Sequence, residues 1–243
     1  MIAQTVLGQI AYLVGRYADA HHYSQTSLAL ERELGNYWGT VFTLITLGRI
    51  AYAQGGYADA RRWFQEGLAI REALADARGI GLCLNYLGDV ASAQANYDEA
   101  QRCYQRSSAL FSEIGNRAGA ATALAKLGYN ELKRPDTRAA RYAFQQALSI
   151  AWSIRALPQV LDALTGLAGV LAPTQPQQAG MLLELVLRQH TAVQETHTRA
   201  RALYAELVPQ LEAGATPPLS PAAPTLDLTM TVVAMLQQDE TMH

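Results

Sequence analysis

Histidines are the side chains of this sequence with the most scope for metal chemistry, because a neutral imidazole is a common zinc ligand. His21 and His22 are adjacent, so on a helix their side chains point about 100° apart and cannot readily share one ion. His190 and His197 are seven positions apart, and no third ligand stands near them. We therefore interpret these histidines as surface residues and expect neither a metal site nor another bound cofactor.

The two cysteines, Cys83 and Cys103, are the thiols available for nucleophilic chemistry. Both fall in predicted helices, and no histidine recurs beside them to activate a thiol. Two thiols make neither a disulfide framework nor a zinc site, which favours a reducing, cytoplasmic setting. The sequence also lacks a GxxxxGK phosphate loop followed by Ser or Thr, a zinc-protease HExxH and a hydrolase GxSxG. These features predict that the chain is not an enzyme.

The charge pattern argues against nucleic acid and membranes as partners. The 19 basic and 21 acidic residues give a formal net charge of −2 and are scattered, without a basic run that could neutralise several phosphates. No apolar stretch approaches the roughly 20 residues of a membrane span, and the N-terminus lacks the basic start of a signal peptide. We therefore expect a cytoplasmic protein that binds neither nucleic acid directly nor a membrane.

The elements that carry these side chains repeat every forty residues. A Leu-Gly pair, a small-residue column and an apolar column all keep this spacing, and apolar residues within a unit recur every three or four positions. The columns are Leu7-Gly8, Leu47-Gly48, Leu87-Gly88, Leu127-Gly128 and the variant Leu167-Ala168; Ala20, Ala60, Ala100 and Ala140; and Leu30, Ile70, Leu110 and Ile150. Spacing of three or four is helical, so each unit is predicted to be a pair of helices.

Turn and cap residues mark the ends of these helices. Gly15 and the pair Gly55-Gly56 separate the two helices of their repeats, where glycine can end a helix in a left-handed conformation. N-cap side chains then precede the next first helix at Asn36, Asp76 and Asn116. The boundaries of the helices are therefore well defined by the sequence.

Small residues indicate how the two helices of a unit approach each other. Gly48, Ala60 and Gly67 lie where antiparallel helices of one hairpin would come close, and a larger side chain would push the backbones apart. We expect a close helix contact at each of these positions.

Units such as LGRIAYAQGGYADARRWFQEGLAI resemble tetratricopeptide repeats over roughly residues 1 to 190. The signature positions of that family hold Leu47, Gly48, Ala51, Tyr57, Ala60, Phe64 and Leu68. The resemblance implies an all-α, right-handed superhelical solenoid of antiparallel helical hairpins. The period of forty resembles the longer-helix variety found in bacterial signalling ATPases and transcriptional activators, and in some eukaryotic scaffold proteins. Pro135 and Thr137 depart from the pattern, because the family usually has glycine and tyrosine there.

The chain is predicted to contain four kinds of segment. Five hairpins span residues 1–190, and the fifth is degenerate because Glu184, Leu187 and Arg188 break its pattern. An amphipathic helix at 191–213 would cap the array. A proline-rich linker follows at 214–225, and residues 226–243 form a short helix or a disordered tail.

In tetratricopeptide proteins the first helices line a concave face, and the resemblance places ligand contacts at the second, fifth, ninth and twelfth positions of each unit. The residues predicted to contact a ligand are Gln9, Tyr12, Phe42, Ile45, Arg49, Tyr52, Asn85, Asp89 and Tyr129. Aromatic area combined with a few polar groups suits a peptide-binding groove. Some members clamp a C-terminal carboxylate with lysines and asparagines at the fifth and ninth positions. Only Asn85 and Arg49 fit that pattern even loosely here, which disfavours such a clamp.

The resemblance implies a scaffold or sensor module that binds a protein or peptide. The segment LLELVLRQHTAVQETHTRARALYAEL further resembles the end of bacterial regulators in which an ATPase core precedes a repeat array. Two alternatives remain open. The array could self-associate and act as a spacer, or it could receive a small effector such as an oligosaccharide. The latter would need tryptophans in the groove, and Trp38, Trp63 and Trp152 do not fall on groove positions.

The N-terminal helix raises a separate expectation. It begins at once with an apolar stripe, formed by Ala3, Leu7, Ile10 and Val14, which in later repeats the preceding hairpin would cover. An uncovered apolar face tends to find a partner surface. We therefore expect the chain to be cut from a longer protein or to self-associate through this face.

Overall fold

A computed structural model of the chain describes residues 2–213 and 227–237, and no strand occurs among them, so this part is all-α as predicted. The predicted linker at 214–225 lies outside the described residues, as do residues 226 and 238–243 of the predicted C-terminal segment. The helices are α1 (Ile2–Leu13), α2 (Tyr17–Glu33), α3 (Tyr37–Ala53), α4 (Tyr57–Ala73), α5 (Ala77–Ala93), α6 (Tyr97–Glu113), α7 (Arg117–Glu131), α8 (Arg138–Ser153), α9 (Leu157–Leu171), α10 (Pro176–Leu187), α11 (Gln194–Ala213) and α12 (Leu228–Gln237). They fall into two compact units, Met1–Ile114 (unit 1) and Gly115–His243 (unit 2).

Most helices end in the same way, with one residue in the left-handed region every twenty positions. Glycine occupies four of these positions, and the residues are Gly15, Gly35, Gly55, Ala75, Ala95, Gly115 and Arg155. Their φ angles are positive, which glycine adopts at little cost. Pro135 interrupts the series because its ring fixes φ near −65°. The connection between α7 and α8 is accordingly different and runs from Leu132 to Thr137.

The predicted N-caps are formed at the start of three first helices. The side-chain oxygens of Asn36, Asp76 and Asn116 accept hydrogen bonds from the amides of glycines three positions later, at 3.2, 3.0 and 3.0 Å. These bonds satisfy amides that have no partner inside the helix. The start of each of these helices, and with it the forty-residue repeat, is therefore fixed by hydrogen bonds between residues that are close in sequence.

Unit 1 consists of three antiparallel hairpins, α1 with α2, α3 with α4 and α5 with α6. In the second and third hairpins an aromatic ring of the second helix lies on a glycine of the first, so a Cβ added to Gly88 would stand 2.5 Å from Tyr104 Cε1. Phe64 covers Gly48 in the same way, which confirms the close contact predicted there. The helices also meet at Gly67, but less tightly, because an added Cβ would lie 3.7 Å from Ile45 Cδ1 and 3.9 Å from Leu44 Cβ, which are ordinary van der Waals distances.

A buried carboxylate joins the first three helices of unit 1. Glu31 of α2 is 1% exposed, and its Oε1 accepts hydrogen bonds from Thr5 of α1, Ser27 of α2 and Thr43 of α3, at 3.2, 2.9 and 3.1 Å. A buried charge needs such donors, since burial without them is costly. The first hairpin and α3 are therefore held together by polar as well as apolar contacts.

Unit 2 contains two hairpins, α7 with α8 and α9 with α10, and two further helices. Phe144 of α8 is fully buried and lies against Gly128 of α7 and Gly166 of α9. Helix α12 packs on α8 through Val232 and Met235. Helix α11 packs on both α10 and α9, so it covers the last hairpin of the unit.

Candidate functional site

The first helices of unit 1 border a groove with a cavity volume of about 170 Å³. Side chains of α1, α3 and α5 line it, together with the last turn of α4. The lining residues are Gln9, Phe42, Ile45, Thr46, Arg49, Arg71, Gly79, Leu82, Cys83 and Tyr86. Four of the residues predicted to contact a ligand are thus brought together in one depression.

Arg49 is the central charge of this groove. Its guanidinium carbon lies 4.5 Å from the centre of the Tyr12 ring, a cation–π contact that orients the side chain from α3 toward α1. Among the described residues, no carboxylate forms an ion pair with Arg49. Tyr12 in turn packs against Tyr17, with ring centres 5.9 Å apart. The groove therefore presents a positive charge that a ligand carboxylate could pair with.

Arg71 supplies a second positive charge, from the C-terminal turn of α4. Its Nη1 donates to Asp76, and its Nε is buried without an acceptor among the described residues. Gly79 makes room for it, because an added Cβ there would overlap the Arg71 side chain. Burial raises the pKa of Asp76, but the Gly79 amide and Arg71 outweigh it, so the pKa of that carboxyl lies below its usual range. Arg71 is thus held in the groove as a cation.

The rim of the groove is apolar. Phe42 on α3 and Leu82 on α5 occupy the same repeat position and are each 41% exposed. Tyr52 is 37% exposed near the end of α3, where its ring packs on Tyr57 with centres 5.6 Å apart. Large apolar side chains exposed around two arginines make a surface that can bind an amphipathic ligand.

Two other residues predicted to contact a ligand, both on α5, do not line the groove. Asn85 is 4% exposed, and its Oδ1 has no hydrogen-bond partner among the described residues. Asp89 accepts a hydrogen bond of 2.8 Å from the Tyr104 hydroxyl, and burial together with this carboxylate raises the pKa of Tyr104 far above its usual range. Neither side chain lines the groove: Tyr104 of the same hairpin engages Asp89, and Asn85 is buried.

Tyr129, the remaining predicted contact, belongs to a polar cluster of unit 2. Its hydroxyl donates to the Asp162 carbonyl and carboxylate oxygens at 2.9 and 3.1 Å, and the Arg199 guanidinium lies 3.8 Å from the ring centre. Arg199 Nη1 also donates to Asp162 Oδ1 at 2.9 Å. Burial raises the pKa of Tyr129 and of Asp162. Side chains of α7, α9 and α11 therefore satisfy one another here.

The groove includes residues that sequence reasoning missed. Arg71 was not among the predicted contacts, because those were taken from first helices only. It shares a repeat position with Glu31, Phe111 and Ala151, all of which are buried. A charged residue at a position that faces inward in other repeats was the signal that could have identified it. Cys83 also lines the groove, and burial raises the pKa of its thiol to about 11, so it stays protonated at neutral pH.

No group of three or more His, Cys, Asp or Glu side chains lies close enough to hold a metal ion in the part of the chain that the structure describes. None of the helices described by the structure combines the length and apolar character of a membrane span.

This arrangement of glycine-packed helical hairpins defines a class of helical repeat protein, and comparison with known proteins identifies the family. A model of the tetratricopeptide repeat matches residues 1–73 and 82–151, more than half of the chain. The chain therefore belongs to the tetratricopeptide repeat family. Comparison with curated proteins finds no match.

Solved structures show the same fold at low sequence identity. BtubC (BKLC) from P. vanneervenii is 13% identical with a TM-score of 0.64, and the match covers 93% of each chain. The apo form of RapI is 15% identical with a TM-score of 0.63, covering 87% of this chain and 84% of RapI. A kinesin-light-chain protein with nearly identical TPR-like repeats from Podosopora anserina is 16% identical with a TM-score of 0.60, covering 84% and 94%. The predicted class, an all-α solenoid of helical hairpins, is thereby confirmed.

Proposed function

We propose that this chain is a binding scaffold without catalytic activity, and that a protein or peptide ligand lies in the groove of unit 1. The observation that carries the proposal is Arg49, which forms no ion pair among the described residues and lies between the exposed side chains of Phe42 and Leu82. Apolar area supplies affinity, and the Arg49 charge supplies selectivity for an acidic ligand, since Arg71 is already paired with Asp76. The tetratricopeptide repeats support this role, because scaffolds of this kind present extended binding surfaces.

Reversing the central charge tests the proposal. Partners captured by the intact chain should bind Arg49→Glu at least tenfold more weakly, since an attractive pair becomes a repulsive one. Arg102→Glu is the matched control, because Arg102 is an exposed arginine of α6 outside the groove lining. Circular dichroism should show unchanged helicity for both variants. Equal affinity of the two variants for the captured partners would place the binding site elsewhere.

Self-association is a second candidate function, and the exposed apolar side of α1 favours it. This α1 face consists of Val6, Leu7, Ile10, Leu13 and Val14, which are between 43% and 75% exposed. One repeat later, Leu47 and Ile50 are fully buried. Helix α1 carries no charged residue, so two copies could meet here without like-charge repulsion. We propose that this face contacts a second copy of the chain.

Light scattering measures this second function directly. The wild type should show a mass that rises with concentration, and the double variant Leu7→Lys, Ile10→Glu should remain a monomer with unchanged helicity. Tyr142→Lys, a change at an exposed position of α8, controls for added charge. A wild type that stays monomeric at every concentration would exclude self-association and leave the groove proposal untouched.

We further propose a cytoplasmic setting and a place in a larger bacterial regulatory protein. The support is the resemblance of residues 182–207 to the end of such regulators and the absence of a disulfide framework in the sequence. A small-molecule effector is a weaker candidate, since the groove lining contains no tryptophan. Binding measurements with soluble oligosaccharides, which we expect to be negative, test that alternative.

A further inference from the structure

Glutamine occupies the same position of the second helix in four consecutive repeats, and its surroundings change in the fourth. Gln25, Gln65 and Gln105 are exposed, whereas Gln145 of α8 is only 6% exposed. Helix α12 packs on α8, and Gln145 Nε2 donates to the carbonyl oxygen of Met235 in the last turn of α12 at 3.5 Å. The last carbonyls of a helix have no partner within it, so this bond completes the end of α12. In one repeat α12 thus covers a surface that is open in the three preceding ones.

Helix α12 has one face that suits this surface. Thr231, Val232 and Met235 are buried, and Leu228 and Leu236 are partly buried against the same apolar cluster. These residues are three or four positions apart, so they share one side of the helix. None of the ten residues of α12 carries a charge. The α8 surface therefore binds an uncharged helix through an apolar stripe at positions i, i+4 and i+7.

Helix α12 is short and is joined to the rest of unit 2 by a long connection. A ten-residue helix is marginal in water by itself, so α12 depends on its contact with α8. The fourteen residues 214–227 separate α11 from α12, and a chain of that length can span up to about 50 Å. Helix α12 can therefore leave α8 without moving α11. The first three hairpins show that a second helix keeps its structure when this surface is exposed.

We infer that the α8 surface around Gln145 is a second docking site of the molecule, for an uncharged partner helix with apolar residues at i, i+4 and i+7, and that α12 occupies it as an exchangeable ligand from the same chain. A tether gives α12 an effective concentration on the order of millimolar, so a helix of another molecule must compete with it. Occupation by α12 closes the site to weak ligands, and release of α12 opens it. The site lies in unit 2, and Gln145 does not line the groove of unit 1.

A fluorescent peptide of residues 227–237 is the probe for this site, and full-length chains are the receptors. The double variant Val232→Asp, Met235→Asp should release α12, because it places two charges on the buried face. We expect this variant to bind the peptide about tenfold more tightly than the wild type does, since the tethered competitor is lost. Met230→Asp is the matched control, because Met230 is 70% exposed on the same helix, and this variant should behave as the wild type.

Substitutions of the repeated glutamine locate the bound peptide. Gln145→Glu, added to the double variant, should weaken peptide binding by about threefold or more, because a carboxylate there opposes the negative C-terminal end of the bound helix. Gln105→Glu places the same charge at the equivalent, exposed position of α6 and should leave binding unchanged.

Hydrogen exchange of the wild type measures the release of α12 without any substitution. Amides of α12 should exchange about tenfold faster than those of α8, since α12 opens by itself. Equal exchange in the two helices would overturn the inference, because α12 would then open only together with the hairpin beneath it. Peptide binding that is equal in the double variant and the wild type, absent from both, or insensitive to Gln145→Glu would also overturn it. Circular dichroism verifies that each variant keeps its helicity.

Discussion

The same repeat positions are open in unit 1 and covered in unit 2. Phe42 and Leu82 of unit 1 are substantially exposed, whereas Asp162, their counterpart in unit 2, pairs with Arg199 of α11. Nothing in the repeat register distinguishes these positions. In unit 2 a side chain of the following helix, α11, pairs with the residue at this position, so repeat position alone does not determine accessibility.

The cores of the two units differ as well. In unit 2 a single apolar cluster extends from α7 to α12 and includes Phe144. In unit 1 the buried apolar residues form three smaller clusters, and polar groups such as Glu31, Ser27 and Thr43 lie at the hairpin contacts. The helical hairpin thus accommodates an apolar core in unit 2 and mixed polar and apolar contacts in unit 1.

The largest expected effect tests whether the two units share one packing rule, namely that a buried aromatic ring of the second helix lies on a glycine of the first. Gly88→Leu in unit 1 and Gly128→Leu in unit 2 should each destabilise the chain by about 1 to 3 kcal/mol, because the side chain meets a buried ring. An added Cβ alone would stand 2.5 Å from Tyr104 and 2.7 Å from Phe144. Urea unfolding followed by circular dichroism measures the loss.

Gly67→Ala is the matched control for these glycine variants. Its Cβ would make only ordinary contacts, and alanine is a better helix former than glycine by about 1 kcal/mol, so stability should be retained or increase. A Gly88→Leu variant as stable as the wild type would contradict the packing rule in unit 1.

A smaller effect tests what keeps the surface of unit 2 covered. Arg199→Ala removes the partner of Asp162 and the cation on the Tyr129 ring, and should cost about 2 kcal/mol, as hydrogen bonds to charged groups do. Amide hydrogen exchange should accelerate along α11. Arg201→Ala, at an exposed position of the same helix, should leave exchange unchanged. Equal exchange in both variants would show that apolar contacts alone hold α11.

The smallest expected effect is a difference in pKa shift between two carboxyl groups, one in each unit. The hydrogen bond from Arg61 lowers the pKa of Glu99 in unit 1, whereas burial raises the pKa of Asp162 in unit 2. Glu99 therefore contributes stability above its unfolded pKa of about 4.3, and this is lost as the pH falls through its folded pKa. The contribution of Asp162 is complete below about 3.9 and is lost as the pH rises through its folded pKa.

Carbon-detected NMR of the carboxyl groups measures both pKa values, with Glu99→Gln and Asp162→Asn assigning the signals. We expect Glu99 to titrate below an ordinary glutamate and Asp162 above an ordinary aspartate. Titration of Asp162 at or below the ordinary aspartate pKa would show that Arg199 and the hydrogen bonds from Tyr129 and Thr196 outweigh the effect of burial.

Local features of the fold could be predicted from the sequence. The caps at Asn36, Asp76 and Asn116 depend on side chains three positions from their partners, and the left-handed ends at Gly15 and Gly55 depend on one residue. Such interactions need no knowledge of distant residues. The looser fit at Gly67 shows that a small residue permits a tight approach but does not require one.

The site was predictable in part, for the same reason. The register assigned Gln9, Phe42, Ile45 and Arg49 to one face, and all four line the groove. The register could not show that Arg71 enters the groove from a second helix, since this depends on how deeply α4 packs against α5. Nor could it show that Asp89 is engaged by Tyr104.

The sequence by itself determined the hairpin, its period of forty and its family, because helix propensity, capping and glycine packing act within or between neighbouring segments. The tertiary structure alone decided which first-helix positions are accessible. Residues 162 and 199 are far apart along the chain, and only the packing of α11 brings Arg199 to within 2.9 Å of Asp162. Accessibility is a property of what lies on a surface, and the segments that cover a surface need not be near it in sequence.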